Sequence, residues 1–232
     1  MRSVLSSLFP VFFLLLPGTL FPQDAASTFD KSYGLDQTLY NGKKYSYFLP
    51  EGTQGNQYLL SPQYIRGSVT IKGRCYEGTD LNYDIFNQQL LLQYKDLSGA
   101  VRVIEVSKAW LEGFRMGDRQ FDYADLGEGP RFYQTLGDRP VKILYLWRKD
   151  LSQDATVGSS SYFFSSAVRE SCLWKDGKLQ PFRNNQGLVR LFEKARWPEI
   201  KSYLRKNRIK VRKASDHTVA TMINLIGNPE NK

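Results

Sequence analysis

The chain is 232 residues long, carries a formal net charge of +9, and holds two cysteines and one histidine. That length suits one domain, with or without a small appendage, able to bury about 70% of its unfolded surface. Two cysteines cannot make a zinc site of the usual four-ligand kind. No phosphate-loop or dinucleotide phrase is present, so no cofactor is expected.

The first residues read MRSVLSSLFPVFFLLLPGTLFPQDAAS. Arg2 is a short basic start, an apolar core ends in the run 11–16, and Pro17-Gly18 breaks it. This is the layout of a secretory signal peptide, with the cut between 18 and 27. A membrane span needs about 20 apolar residues without punctuation, whereas Pro10, Pro17, Gly18 and Pro22 interrupt here. No cysteine near the cut can carry a lipid. No second long apolar run follows, so the mature chain is not expected to cross a membrane as a helix. The last third reads helical, which argues against a membrane β-barrel. The expected organisation is a signal peptide over 1–26, a β-rich domain over 27–182, and a basic helical tail over 183–228.

Strand signals dominate after residue 39. Asn41-Gly42 is a hairpin signal, 44–49 is aromatic and strand-like, and 50–56 reads as loop. Further strands are expected at 57–60, 64–72, 81–86, 89–94 and 101–106, with Asn87-Gln88 as a short turn. Leu90, Leu91 and Leu92 suggest a strand covered on both faces. The stretches 114–116 and 121–123 flank Gly117-Asp118, again hairpin chemistry. Strands at 132–136, 141–147, 161–164 and 171–174 follow, and Asp176-Gly177 leads to a return strand at 179–182. Turns recur every 8–12 residues or so, the spacing of an antiparallel meander, sandwich or open barrel.

The period then changes. Leu188, Leu191, Phe192 and Ala195 fall on one face of a helix. Pro198 and Glu199 suit the first turn of a second helix, with Ile200, Tyr203 and Leu204 as its buried face and Asn207 as its stop. Ser215 or Asp216 can cap a third helix, buried through Val219, Met222, Ile223 and Ile226 and ended by Gly227. Strands first and helices last predict an α+β fold: a mainly antiparallel sheet followed by about three short helices. Export permits a disulfide, and Cys75–Cys172 is the single pairing available. Two separate buried thiols are the alternative.

The runs GSVTIKGRCYEGTDLNYDIFNQQLLLQY, FYQTLGDRPVKILY and LFEKARWPEIKSYLRKNRIKVRKASDHTVATMINLIG resemble a loosely defined family of uncharacterised exported proteins of Bacteroidota-type bacteria. The likeness spans 40–227. It includes a glycine–tyrosine phrase carried here by Gly73, Tyr76, Gly78, Leu81, Tyr83 and Asp84, and a lysine-rich helical tail. The resemblance implies a β-rich body and an envelope location, and transfers no site.

Several chemistries can be weighed on the residues themselves. Asp80-x-Asn82-x-Asp84 imitates the start of an EF-hand loop, but the sixth and twelfth positions are Ile85 and Leu91, which can neither turn nor ligate as required. The simpler reading is a turn over 77–80 feeding a strand whose Leu81, Tyr83 and Ile85 face the core. His217 lies in the first turn of the last helix, and no G-x-S-x-G phrase offers it a nucleophile. Glu77, Asp84, Glu105, Asp122 and Glu128 are eligible for a carboxylate pair, but primary spacing does not bring any two together.

The sharpest signal is charge. Over 194–213, nine lysines and arginines stand against one acid, Glu199, so this segment holds eight of the nine net positive charges. Lys201, Arg205, Lys206, Arg208, Lys210, Arg212 and Lys213 are the residues expected to meet an anionic partner. In the link 208–214, Arg208, Lys210 and Arg212 share one face, with Ile209, Val211 and Lys213 on the other. An envelope protein, an anionic lipid or a glycan surface suits such a segment, while export argues against nucleic acid. The alternative for the charge itself is a solvated face that keeps the protein soluble. The expected function is a non-enzymatic exported envelope protein acting as an interaction or accessory module. A binding protein for an apolar or lipid-like ligand is the first alternative, since fourteen tyrosines and fourteen phenylalanines can line a cavity or fill a core. A small carboxylate-dependent hydrolase is the second.

Overall fold

The computed structural model describes residues 35–227, apart from 128, 139, 157 and 158. The expected signal peptide and Glu128 lie outside the described residues. The strands are β1 (Gly42–Lys44), β2 (Ile65–Ile71), β3 (Arg74–Asp84), β4 (Gln89–Lys95), β5 (Val101–Val106), β6 (Leu111–Met116) and β7 (Arg119–Asp125). They continue with β8 (Pro130–Leu136), β9 (Lys142–Arg148), β10 (Leu151–Thr156), β11 (Ser159–Phe164), β12 (Val168–Lys175) and β13 (Lys178–Phe182). Eleven of them form one antiparallel sheet in the order β1-β5-β4-β3-β2-β6-β7-β8-β9-β12-β13, while β10 and β11 pair as a separate hairpin. The sheet is open, with β1 at one edge and β13 at the other. Helices α1 (Asn185–Arg190), α2 (Trp197–Lys206) and α3 (Asp216–Ile226) follow. The fold is the α+β arrangement of strands first and helices last. Among the described residues no helix is long and apolar enough to cross a membrane.

The turn expected at 77–80 is instead the interior of β3. Lys72 and Gly73 take the hairpin turn, with φ of 51° and 72°. Gly67 faces Thr79 and Ser68 faces Glu77, which leaves Gly78 as an extra residue at φ 70°. It is a β-bulge, and only a glycine adopts that backbone without cost. The motif that suggested a turn needs the same left-handed glycine in both settings.

Beyond the bulge, Leu81, Tyr83 and Ile85 are buried as expected, and so are Asn82 and Asp84 on the opposite face. The segment 45–61 covers that second face. It is not a pair of strands, as 44–49 and 57–60 had suggested; it crosses β3 through isolated bonds. Leu59 N donates to Tyr83 O at 3.0 Å, Ile85 N to Gln57 O at 3.1 Å, and Asn82 Nδ2 to Ser61 O at 3.0 Å. Asn41-Gly42 makes no hairpin either, because Gly42 begins β1 opposite Val106 of β5, and its bare Cα lets the strands close up. Leu90, Leu91 and Leu92 are all buried, as a strand covered on both faces requires.

The core under β2–β8 is aromatic. The Tyr83 ring lies 5.3–5.4 Å from those of Phe114, Phe121 and Phe132, each edge-on, and Phe114 stacks on Phe121 at 4.6 Å. These are favourable arrangements for ring quadrupoles. The Tyr83 hydroxyl donates to Gln88 Oε1 at 2.7 Å, and Gln88 Nε2 donates to Ile85 O and Trp147 O, at 2.8 and 2.9 Å.

Burial raises the phenol pKa of Tyr45, Tyr64 and Tyr83, and pushes Tyr145 up to about 12. A raised folded value means that the neutral phenol is favoured in the fold. Stability from these residues is therefore complete below the unfolded value of about 10 and is lost as pH rises through the folded values. Unfolding above about pH 10 should coincide with the appearance of tyrosinate absorbance. A spectrophotometric titration showing these phenols ionising near pH 10 in the intact fold would contradict this.

The helices form a layer over the far end of the sheet. Leu188 and Val189 of α1, Ile200 and Leu204 of α2, and Val219, Met222, Ile223 and Ile226 of α3 pack with Leu136, Val141, Ile143, Tyr145, Leu173 and Phe182. The layer sits close: at Gly137, φ 93°, an added Cβ would lie 2.6 Å from Ile223 Cγ2. The third helix has the expected buried face, and the second buries Ile200 and Leu204 as expected while Tyr203 is only half-buried. Ser215 Oγ accepts from Thr218 N at 3.2 Å, so Ser215 is the cap. The first helix is shorter than its period suggested. It ends at Arg190, Ala195 is exposed, and 194–196 form a separate 3-10 turn. Phe192 O instead accepts from Trp197 Nε1 at 2.8 Å, which draws that carbonyl out of a continued helix.

Cys75 and Cys172 do not pair. Both are thiols. Cys75 is in β3 and Cys172 in β12, with β2, β6, β7, β8 and β9 between them in the sheet. Residence in a strand says nothing of which strands are neighbours.

Candidate functional site

The helical layer is held so that its charged side faces out. The hydrophobic face of α2 buries Ile200 and Leu204, which leaves Lys201, Arg205 and Lys206 exposed. The helix ends in a Schellman turn. Arg208 N donates to Arg205 O at 3.1 Å and Ile209 N to Leu204 O at 2.9 Å, with Leu204 and Ile209 both buried. The left-handed position of that turn, usually glycine, is occupied by Arg208 at φ 53°.

Asn185 then fixes the link. Its Nδ2 donates to Ile209 O at 2.6 Å and its Oδ1 accepts from Val211 N at 2.9 Å. With Ile209 and Val211 buried on either side, Lys210 must point outward. The expected alternation holds for Arg208 to Arg212. It fails at Lys213, which is exposed, because Lys213 N and Ala214 N both turn back to Lys210 O at 2.8 and 2.9 Å.

All seven tail residues are exposed. Lys201, Arg205, Arg208 and Lys210 line one hollow of about 650 Å³, with Val189, Leu204 and Ile209 at its floor and the amides of Asn185 and Gln186 at one side. Lys210, Arg212 and Lys213 line an adjoining hollow of about 580 Å³ that shares Asn185 and Gln186. Lys206 is exposed near the end of α2 and lines neither. Among the described residues none of the seven forms an ion pair; the acid of α2, Glu199, pairs with Arg196 at 3.7 Å. Two aromatics near these charges, Trp197 and Tyr203, are half-buried against the core, with Lys201 Nζ 5.7 Å from the Trp197 ring.

Arg208 offers a direct check. A non-glycine left-handed residue costs on the order of 1–2 kcal/mol. Arg208→Gly should therefore raise stability by about 1 kcal/mol in urea unfolding while weakening association with anions. An unchanged or lowered stability would mean that the guanidinium makes up for the backbone.

Sequence reasoning missed the sheet's contribution. Arg148 of β9, Arg169 of β12 and Arg183, just after β13, line a third hollow of about 750 Å³ with Arg212. Each is a single arginine in a strand-like context, and no local pattern marks it. Register assembles them: β9 pairs with β12, and β12 with β13.

Four of the acids considered for hydrolysis are described, and they sit on β3, β5 and β7. Glu77 pairs with Arg115 at 3.4 Å on an exposed surface, Asp122 accepts from Thr135 Oγ1 at 2.7 Å, and Glu105 is half-buried on β5. Asp84 is fully buried and saturated with donors: Tyr45 Oη, Asn87 N and Asn87 Nδ2 at 2.8 Å, and Phe86 N at 3.1 Å. It ties the covering segment to the turn after β3. Nearby, Lys149 Nζ donates to Asn56 O at 2.8 Å, and burial lowers its pKa against an opposing pull from Asp84. His217 is exposed on α3. Among the described residues no three His, Cys, Asp or Glu side chains group as metal ligands. Compared with family models, characterised proteins and solved structures, the chain matches none.

Proposed function

We propose that the protein is an exported, non-enzymatic envelope protein of the periplasm or outer membrane, an interaction module whose basic helical face docks on an anionic lipid surface. The observation that carries this reading is the set of exposed cations around one groove, Lys201, Arg205, Arg208 and Lys210, without an ion pair among the described residues and fixed by a Schellman turn and an asparagine bracket. A merely solubilising face has no need of that fixing. The aromatic core supports this reading over an apolar ligand cavity, since its rings pack on one another. The layout of residues 1–26 supports export.

The test is co-sedimentation with phosphatidylcholine vesicles, with and without phosphatidylglycerol. Association with the anionic vesicles alone, declining with salt, is expected. Equal association with both, or with neither, would sink the proposal.

A further inference from the structure

The hollow built from the sheet has a different chemistry from the helical groove. Its cations are all arginines, whose planar forks grip a phosphate or carboxylate through two parallel bonds, as lysine cannot. One of them is preset. Arg169 lies 4.2 Å from the Tyr145 ring, its Nη2 donates to Arg212 O at 3.2 Å, and its side chain is only 20% exposed. Its acid partner, Asp216, is shared. Asp216 meets Arg169 at 3.4 Å and Arg119 at 3.6 Å, and also accepts from the fully buried Gln134 at 2.7 Å. One carboxylate between two arginines leaves positive charge over.

The other walls add to the surplus. Among the described residues Arg183 and Arg212 have no acid partner, and both are exposed. Glu170 is the one acid on the wall. It pairs with Arg148 at 3.4 Å with both side chains about half exposed, a weak pair that a stronger anion can replace. The volume of about 750 Å³ falls within the range of small-molecule sites.

We infer that this hollow binds a compact dianionic phosphate group, carried either by a lipid headgroup or by a soluble phosphate compound. The inference goes beyond the docking of the helical face, with which it shares Arg212 alone.

The test uses the whole exported chain and two probes: inorganic pyrophosphate by titration calorimetry, and phosphatidylcholine vesicles containing roughly a fifth phosphatidic acid by co-sedimentation. The variants are the double change Arg148→Gln and Arg183→Gln, both at exposed positions, and as a control Lys201→Gln with Arg205→Gln. Saturable pyrophosphate binding that the first pair weakens at least about tenfold, and the control pair less than about twofold, supports a soluble phosphate compound as the source. If pyrophosphate does not bind but phosphatidic acid vesicles are released by the first pair, the headgroup is the source. Binding of both probes untouched by the first pair, or lost equally with the control pair, overturns the inference. A protein that binds pyrophosphate yet ignores anionic vesicles defeats the docking proposal and leaves this one standing.

Discussion

Replacing Asp84 with alanine is expected to destabilise the protein by about 3–5 kcal/mol, the scale for removing one partner from a buried charged network. The carboxylate accepts from two backbone amides, an asparagine and a tyrosine, and has no exposure to water. Its loss would strand those donors inside the protein, which costs more than the bonds themselves contributed. For a chain of this size the melting temperature should fall by about 10 °C. Asp84→Asn keeps the volume but turns an amide toward amide donors, so it should recover little. Tyr45→Phe removes one donor and leaves three, with an expected loss of about 1 kcal/mol. A change under 1 kcal/mol for the alanine variant in urea unfolding would show that the segment 45–61 is held by something else.

The second large effect concerns the helical face. Converting Lys201, Arg205, Arg208 and Lys210 together to glutamine should weaken association with anionic vesicles about a thousandfold. Each charge near such a surface is worth about 1 kcal/mol, and 1.4 kcal/mol is a factor of ten. Stability should change little, because all four side chains are exposed and unpaired among the described residues. Raising the salt to about 1 M shortens the screening length to about 3 Å and should reproduce the loss in the unaltered protein. Vesicle binding that resists both treatments would remove the electrostatic basis of the proposal.

These two regions also mark what the sequence discloses and what it withholds. Val101–Val106 is read at its true ends, because β-branched residues alternate between clear turns. The buried face of α3 follows from period alone, as do Ile200 and Leu204 of α2. The strand β10, LSQDAT, has no apolar alternation and pairs in a hairpin outside the main sheet. A strand without that alternation leaves no pattern to find. The tail's cations were legible because they crowd into one segment. Arg148, Arg169 and Arg183 were not, because strand pairing gathers them from positions whose adjacency no local rule encodes. Asp84 was visible only as one of several eligible acids, because its full burial depends on a covering segment that reads as strand and loop.

The position of β2 in the sheet has a consequence for how the molecule assembles. It lies between β3 and β6, so the sheet extends from it by consecutive hairpins to β5 on one side, while on the other β6 returns after β3, β4 and β5 to pair with it before consecutive hairpins run on to β9. A chain emerging residue by residue can lay down most strands against the one just formed, with short loops to close and little sequence separation to bridge. Sheets of this connectivity fold faster than those that join distant strands. The helices arrive last and seal the β8–β9–β12–β13 end. Until they do, that end presents apolar surface to whatever receives the chain, and the basic face does not yet exist.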